Sequence, residues 1–308
     1  MSNNKIVIGS RGSKLAIIYA ERAKKTILDV HTDLNEDSID IKIIKTSGDI
    51  HHSKSLSELG GKGLFSKQIE EELLDKKVDI AVHALKDLPT NETGGLETKI
   101  FLKRNDPRDV FISLNYKSIF DLKSHSIIGT SSFRRAAQLG ILRKDLNIKL
   151  IRGNVDTRIQ KLEEKKFDAI VLSYAGIKIL GFENKISKVF SVEEMLPCVG
   201  QGVIALQTRK NDEKILNLIF KVNDHNTFNC VLAEREMLKT IEGDCDTAVG
   251  GLATINNNLI TLKSELFSID GKKKFSAQTS GSLDEAKKIG IKVGQELLAK
   301  AGNTYKKR

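Results

Sequence analysis

The sequence predicts an α/β protein made of two lobes with mixed, mostly parallel sheets, followed by a small α+β domain at the C-terminal end. Three observations carry this. Strand-like and helix-like stretches alternate from residue 5 to residue 209, the alternation runs through twice, and from about 226 it gives way to a helix, three consecutive strands and a last helix. With 308 residues and 40% hydrophobic content, the chain can bury more than one core.

The elements follow in order. "KIVIGS" (5–10) reads as a short buried strand, and 13–31 as an amphipathic helix with Ser13 near its cap. "IDIKIIKT" alternates as a strand does, "LFSKQIEEELLDKK" has helical spacing, and "VDIAVHAL" is a strand again. The polar stretch around Pro107 marks a crossing into a second unit. There "DVFISL", "SIIGTS", "NIKLIRG" and "FDAIVLS" read as strands, with helices predicted over 131–145, 154–166 and 174–181. "GVIALQTR" (202–209) is a strand with no partner nearby in sequence; its return to the first sheet would make two crossings and a hinged cleft. A helix over 228–243, strands "GLATINNN", "LITLKSELFSI" and "KKFSAQTS", and a helix over 283–302 complete the chain. The expected domains are 1–102 plus 203–225, 103–202, and 226–308.

Composition excludes several classes. The first residues contain no apolar signal core and no eighteen apolar residues run together, so neither secretion nor a membrane span is expected, and the setting is expected to be cytoplasmic. Cys198, Cys230 and Cys245 have no CxxC spacing and are odd in number, against a disulfide framework or a local zinc site. The net charge of +10 favours anionic partners. Aromatic residues make up only 5% and no nucleic-acid motif is found, so small polyanions are expected rather than nucleic acid.

The distribution of arginine is more telling. The chain has 38 Lys and 12 Arg, yet seven of the Arg (104, 108, 134, 135, 143, 152 and 158) fall within 55 residues. Arginine offers a rigid fork that grips a carboxylate or phosphate through two bonds, so this region reads as an anion site; an exposed basic helix face is the alternative.

Four clusters could act. "GSRGS" sets Arg11 and Ser13 between a strand and a helix start, where an anion meets free helix N–H groups. "HALKDLP" sets Lys86 and Asp87 just past a strand, either facing a ligand or forming a surface pair. In "GTSSFRRAAQ", Thr130, Ser131 and Ser132 open a helix whose first turn carries Arg134 and Arg135, so hydroxyls, backbone donors and two forks converge. "RGNVDTR" repeats this with Arg152, Asn154 and Arg158. The Gly-Lys of "ELGGKGLF", at Lys62, lacks the following Ser or Thr of a phosphate-binding P-loop, and the histidines have no metal-like spacing. The cysteine in "TIEGDCDTAVGG" has no explanation from packing.

Taken in order, "GSRGSKLA", "GGKGLF", "DIAVHALKDLP", "DPRDVF", "IIGTSSFRRAAQL", "LIRGNVDTR", "LPCVGQG" and "EGDC" resemble the porphobilinogen deaminase family. The resemblance implies two lobes of the periplasmic-binding-protein kind, and a transferase that condenses four porphobilinogen molecules head to tail onto a dipyrromethane cofactor. Ammonia is lost at each step and water finally releases hydroxymethylbilane. It implies further that Cys245 carries the dipyrromethane through a thioether and that Asp87 is the catalytic carboxylate, kept ionised by neighbouring arginines. Arg11, Ser13, Lys62, Lys86, Thr130, Ser131, Ser132, Arg134, Arg135, Arg152, Asn154 and Arg158 would hold cofactor and substrate carboxylates. No metal, nucleic acid or membrane is implied, and a monomer is expected. Three departures stand out: Ala84 where a Ser is frequent, Ile179 where the family usually has Arg, and Asp244 and Asp246 on either side of the cofactor cysteine. Lys178 and Arg209 are the candidates to replace the missing Arg.

Overall fold

The computed structural model describes residues 5–46, 63, 66–244 and 246–306. The chain divides into two compact units, Met1–Asn105 with Val203–Phe228, and Asp106–Gly202 with Asn229–Arg308.

In the first unit, β1 (Ile6–Arg11), α1 (Lys14–Val30), β2 (Ile39–Ile44), α2 (Lys67–Leu74) and β3 (Ile80–Ala84) form the alternating run. β1 pairs in parallel with β2 and with β3, Ile8 lying opposite Ile41 and Ile80. β3 is a nearly continuous buried run, as a strand covered on both faces must be. β10 (Ile204–Arg209) enters antiparallel between β3 and β4 (Leu96–Phe101), giving the order β2-β1-β3-β10-β4. β4 was not expected: Glu97, Thr98 and Lys99 break its apolar pattern, and Glu97 is buried with an ion pair to Lys99. Helix α6 (Glu213–Phe220) was missed as well, although Asp212 caps it by accepting from the Ile215 N–H.

The second unit holds β5 (Asp109–Ile112), β6 (Ile127–Gly129), α3 (Phe133–Leu142), β7 (Asn147–Lys149), α4 (Val155–Glu163), β8 (Ala169–Ser173), α5 (Tyr174–Ile179) and the short β9 (Lys188–Val189). The order is β7-β6-β8-β5-β9, with β6 parallel to β7 and β8 and with β5 antiparallel to β8. Alternation along β5 sends Phe111 to one core, where it meets Phe190 edge to face, and Val110 and Ile112 to the other. The same unit carries most of α7 (His225–Thr240) and the antiparallel meander β11 (Val249–Asn256), β12 (Leu259–Phe267) and β13 (Lys274–Ser282), closed by α8 (Ala286–Ala301). Asn257 and Asn258, both at positive φ, make the tight β11–β12 turn. The α/β class with two sheet-rich lobes and a C-terminal sheet-and-helix domain is thus present. Among the described residues no helix is long and apolar enough to cross a membrane.

Candidate functional site

In the first unit the candidate residues lie at the carboxyl ends of parallel strands, where helix N-termini and strand-end turns leave backbone groups available. β1 ends at Arg11, and Ser13 caps α1 by accepting from the Ala16 N–H (3.3 Å). β3 runs directly into a 3₁₀ turn, Leu85–Asp87, held by the Leu85 N–H donating to Val203 O (3.0 Å) and the Leu88 N–H to Leu85 O (3.1 Å). Leu85 and Leu88 are buried, which leaves Lys86 and Asp87 half-buried at the strand end. Because β1 and β3 are parallel neighbours, Arg11 and Asp87 belong to one edge of the sheet.

Beneath this edge runs a buried polar chain. His83 Nε2 meets Gln207 Oε1 (3.1 Å), Gln207 Nε2 donates to Glu70 Oε1 (2.9 Å), and Thr93 Oγ1 donates to Glu70 Oε2 (3.0 Å). Burial, with Arg11 adding to it against the Gln207 bond, pushes His83 down to about 4. It is therefore a neutral, structural imidazole at neutral pH.

In the second unit the antiparallel β5 brings its amino end, Asp109, opposite Ser173 at the carboxyl end of β8. The ends of β6, β7 and β8 and the start of β5 thus share one edge. Here the hydroxyls are engaged locally: Thr130 Oγ1 accepts from the Ser132 N–H (3.1 Å), Ser131 Oγ donates to Ile151 O (2.9 Å), and Ser132 Oγ caps α3 by accepting from the Arg135 N–H (3.3 Å).

Arg134 and Arg135 revise the expectation that two open forks face a ligand. Arg134 Nη1 donates to Asp109 Oδ2 (2.8 Å) and to Leu196 O (2.8 Å). Arg135 Nε and Nη2 grip Asp109 Oδ1 (3.1 and 2.7 Å) while Nη1 donates to Val171 O (3.0 Å). Gln201 Nε2 completes the knot at Asp109 Oδ1 (2.9 Å) and Pro107 O (2.6 Å). Burial opposes the charge on Asp109, but the two guanidinium groups prevail and hold it down at about 2. Sequence reasoning missed Asp109 and Gln201 as partners, although both lie inside quoted motifs, "DPRDVF" and "LPCVGQG".

Arg152 follows β7; its carbonyl accepts from Lys161 Nζ (2.9 Å), and Gly153, at φ +110, turns the chain into α4. Arg158 Nε donates back to Gly153 O (2.8 Å), and the exposed Asn154 stands at the cap position of α4. Lys62 and Cys245 lie outside the described residues. Beside Cys245, the Asp244 carboxylate accepts from the Asp246 N–H (3.0 Å) and Thr247 Oγ1 (3.0 Å), so it is turned into its own loop. Arg209 is spent on Asp79, Asp212, Leu73 O and Val78 O and does not replace an Arg at 179. Lys178 is exposed and its charge acts on Asp106.

Two family models match this chain. The first, the porphobilinogen deaminase dipyromethane cofactor binding domain, covers residues 6–217; the second, the porphobilinogen deaminase C-terminal domain, covers 228–299. Among curated proteins, porphobilinogen deaminase of Syntrophobacter fumaroxidans is 40% identical over 97% of this chain and 96% of its own length. That of Staphylococcus carnosus is 41% identical over 90% of both chains. A solved methionine-binding protein, MetQ, aligns with a TM-score of 0.45 at 12% identity over 74% of this chain and 91% of that one.

The residues present suit a polycarboxylate such as a dipyrromethane. Two buried guanidinium groups face one carboxylate at Asp109, leaving a surplus positive charge, and the Nε atoms of Arg134 and Arg152 are buried without a hydrogen-bond partner. A carboxylate brought to this edge would supply both the charge and the acceptors.

Proposed function

This chain belongs to the porphobilinogen deaminase family, and from that premise we propose how its own residues serve the family's reaction. The protein is a transferase of tetrapyrrole biosynthesis that polymerises porphobilinogen, four molecules condensing head to tail with release of ammonia. The dipyrromethane cofactor, when bound, supplies the nucleophilic pyrrole carbon onto which the chain grows.

Asp87 is the catalytic carboxylate. When the aminomethyl carbon of porphobilinogen loses ammonia, the electron pair of the C–N bond leaves with nitrogen and the ring becomes cationic. An ionised carboxylate beside the pyrrole N–H stabilises that charge where it develops, and takes the proton that the ring must shed after the new C–C bond forms. The observation that carries this reading is the position of Asp87: half-buried, on a three-residue turn at the end of β3, at the same sheet edge as Arg11.

Arg11, Ser13, Lys62 and Lys86 in the first unit, and Arg152, Asn154 and Arg158 in the second, orient acetate and propionate groups. Thr130, Ser131 and Ser132 shape the turn that presents backbone donors, while Arg134 and Arg135 act from beneath as a buried positive reserve tied to Asp109. Cys245 is the attachment point. We take the chain as three domains, 1–102 plus 203–225, 103–202 and 226–308, and as a cytoplasmic monomer.

Intact-protein mass tests the anchoring: the wild type should carry an excess equal to one dipyrromethane that Cys245→Ala lacks, and should release ammonia from porphobilinogen. An active protein without that excess would refute the role of Cys245.

A further inference from the structure

Helix α7 ends at Thr240 and delivers the chain to the loop of Cys245. The stop is tight. The Gly243 N–H donates to Leu238 O (2.8 Å) and the Glu242 N–H to Lys239 O (2.9 Å), the paired bonds of a helix end whose next residue turns left-handed. That residue is Glu242, at φ +49, a position that glycine usually fills and where a side chain is strained. Strain of this kind persists only where the surroundings hold it.

The holding contacts come from the segment that follows α8. The chain turns at Gly302 (φ +55), and the Ile269 N–H donates to Thr304 O (2.9 Å), which ties the segment to the β12–β13 connection. Tyr305 is buried in the same apolar core as Met237 and Ile241. Its hydroxyl donates to Ile241 O (3.0 Å), one of the helix-end carbonyls that lack a partner within the helix. Beside it Lys306 Nζ pairs with Glu242 (2.5 Å) and lies 5.4 Å from the centroid of the Tyr305 ring. That pair is exposed and holds little; the buried bond from Tyr305 is the firm one. Both residues lie beyond 228–299, the stretch that the C-terminal family model matches.

On the other side of Cys245, Ala248 O accepts from the Phe267 N–H (3.0 Å) of β12. The loop thus has two feet, one pinned by the sheet and the other by Tyr305. Between them the Thr247 N–H donates to Asp244 O (3.1 Å), which closes the span into a turn.

We propose that Tyr305 is a positioning residue for the cofactor: by holding Ile241 it fixes one foot of the Cys245 loop, so that the tethered dipyrromethane reaches its substrate from a constant origin. The inference rests on the reading of Cys245 as the attachment point. Tyr305 touches no reacting atom. A tethered reactant gains only as far as its tether limits where it can go. Each added ring puts more rotatable bonds between the sulfur and the growing end, so the first addition depends most on the anchor and the last addition least.

The test compares wild type with Tyr305→Phe, which keeps the ring in the core, by hydrogen exchange, unfolding midpoint, KM and intact mass during exposure to limiting porphobilinogen. Exchange should quicken about threefold or more at the amides of 242–247 and stay within about twofold in β12 and the body of α8. The first addition should slow about three- to tenfold, the loss of one ordinary hydrogen bond read as a rate, with later additions and KM within about twofold. Unchanged exchange at 242–247 overturns the proposal. So does an equal slowing of every addition, or a loss that tracks the unfolding midpoint, either of which would assign Tyr305 to core stability. Where Tyr305→Phe does not fold, Lys306→Glu decides: it leaves the core intact, sets like charges at the same foot and should quicken the same amides at low salt, and unchanged exchange there overturns the proposal as well. A wild type whose mass lacks a dipyrromethane would instead refute the role of Cys245, a separate failure, since exchange at 242–247 reads the hold of Tyr305 on the loop without the cofactor.

Discussion

Asp109 shows how much a single residue can hold. Its carboxylate is fully buried and receives four hydrogen bonds from Arg134, Arg135 and Gln201. With two guanidinium groups in the same pocket, Asp109→Asn would leave two buried cations facing each other. It should cost about 3–5 kcal/mol, the typical penalty for breaking a buried pair from one side. The pH dependence follows from the direction of its shift. A carboxyl held down at about 2 contributes stability that is fully present above the unfolded-chain value near 4, and that is lost as pH falls through about 2. The interval corresponds to about 2 kcal/mol. Thermal unfolding between pH 5 and 2 should show the wild type losing stability and Asp109→Asn losing less; parallel curves would show that the group does not titrate in this way. The forks of Arg134 and Arg135 were legible as anion grips from their residue type. Their partner was not, because Asp109 stands 25 and 26 positions away and only the antiparallel return of β5 beside β8 brings it to them.

Among the elements, α8 shows where close packing overrides local preference. Its glycines, Gly290 and Gly294, sit against α7: a Cβ built on Gly290 would lie 2.3 Å from Ala233 O, and one on Gly294 would lie 2.6 Å from Thr240 Cβ. Alanine is the better helix former by about 1 kcal/mol, yet a contact that short with backbone oxygen forces the helices apart. Gly290→Ala should therefore destabilise by about 1–3 kcal/mol in urea unfolding; a neutral or stabilising change would mean that α7 and α8 separate at no cost. Periodicity foretold α8, α1 and the meander because each has one apolar side to hide. It missed β4, whose central residues are charged or polar and whose place in the sheet depends on β10, about a hundred residues later in the chain.

For the molecule as a whole, the +10 net charge and the acidic substrate predict a dependence on salt. Raising ionic strength shortens the screening distance from about 10 Å at 0.1 M to about 3 Å at 1 M. KM for porphobilinogen should rise with salt while kcat changes less, since the field gathers substrate from solution whereas the carboxylate proposed for catalysis, Asp87, would act at contact. A KM indifferent to salt would show that capture depends only on short-range bonds.

What the amino-acid sequence determined by itself was the class of fold and, through the ordered motifs that resemble the porphobilinogen deaminase family, the reaction. The fold class follows from residue type and local spacing, and the family from motifs whose order the chain preserves. What only the tertiary structure decided was how those residues are employed: that His83 is a buried neutral link to Gln207 and Glu70, that Arg209 is occupied by backbone carbonyls and two aspartates, and that Arg134 and Arg135 share Asp109. The physical reason is that a charge is defined by what surrounds it after folding. Sheet pairing brings together side chains that sequence keeps far apart, and whether a guanidinium stays available to a ligand depends on which carboxylate or carbonyl reaches it first.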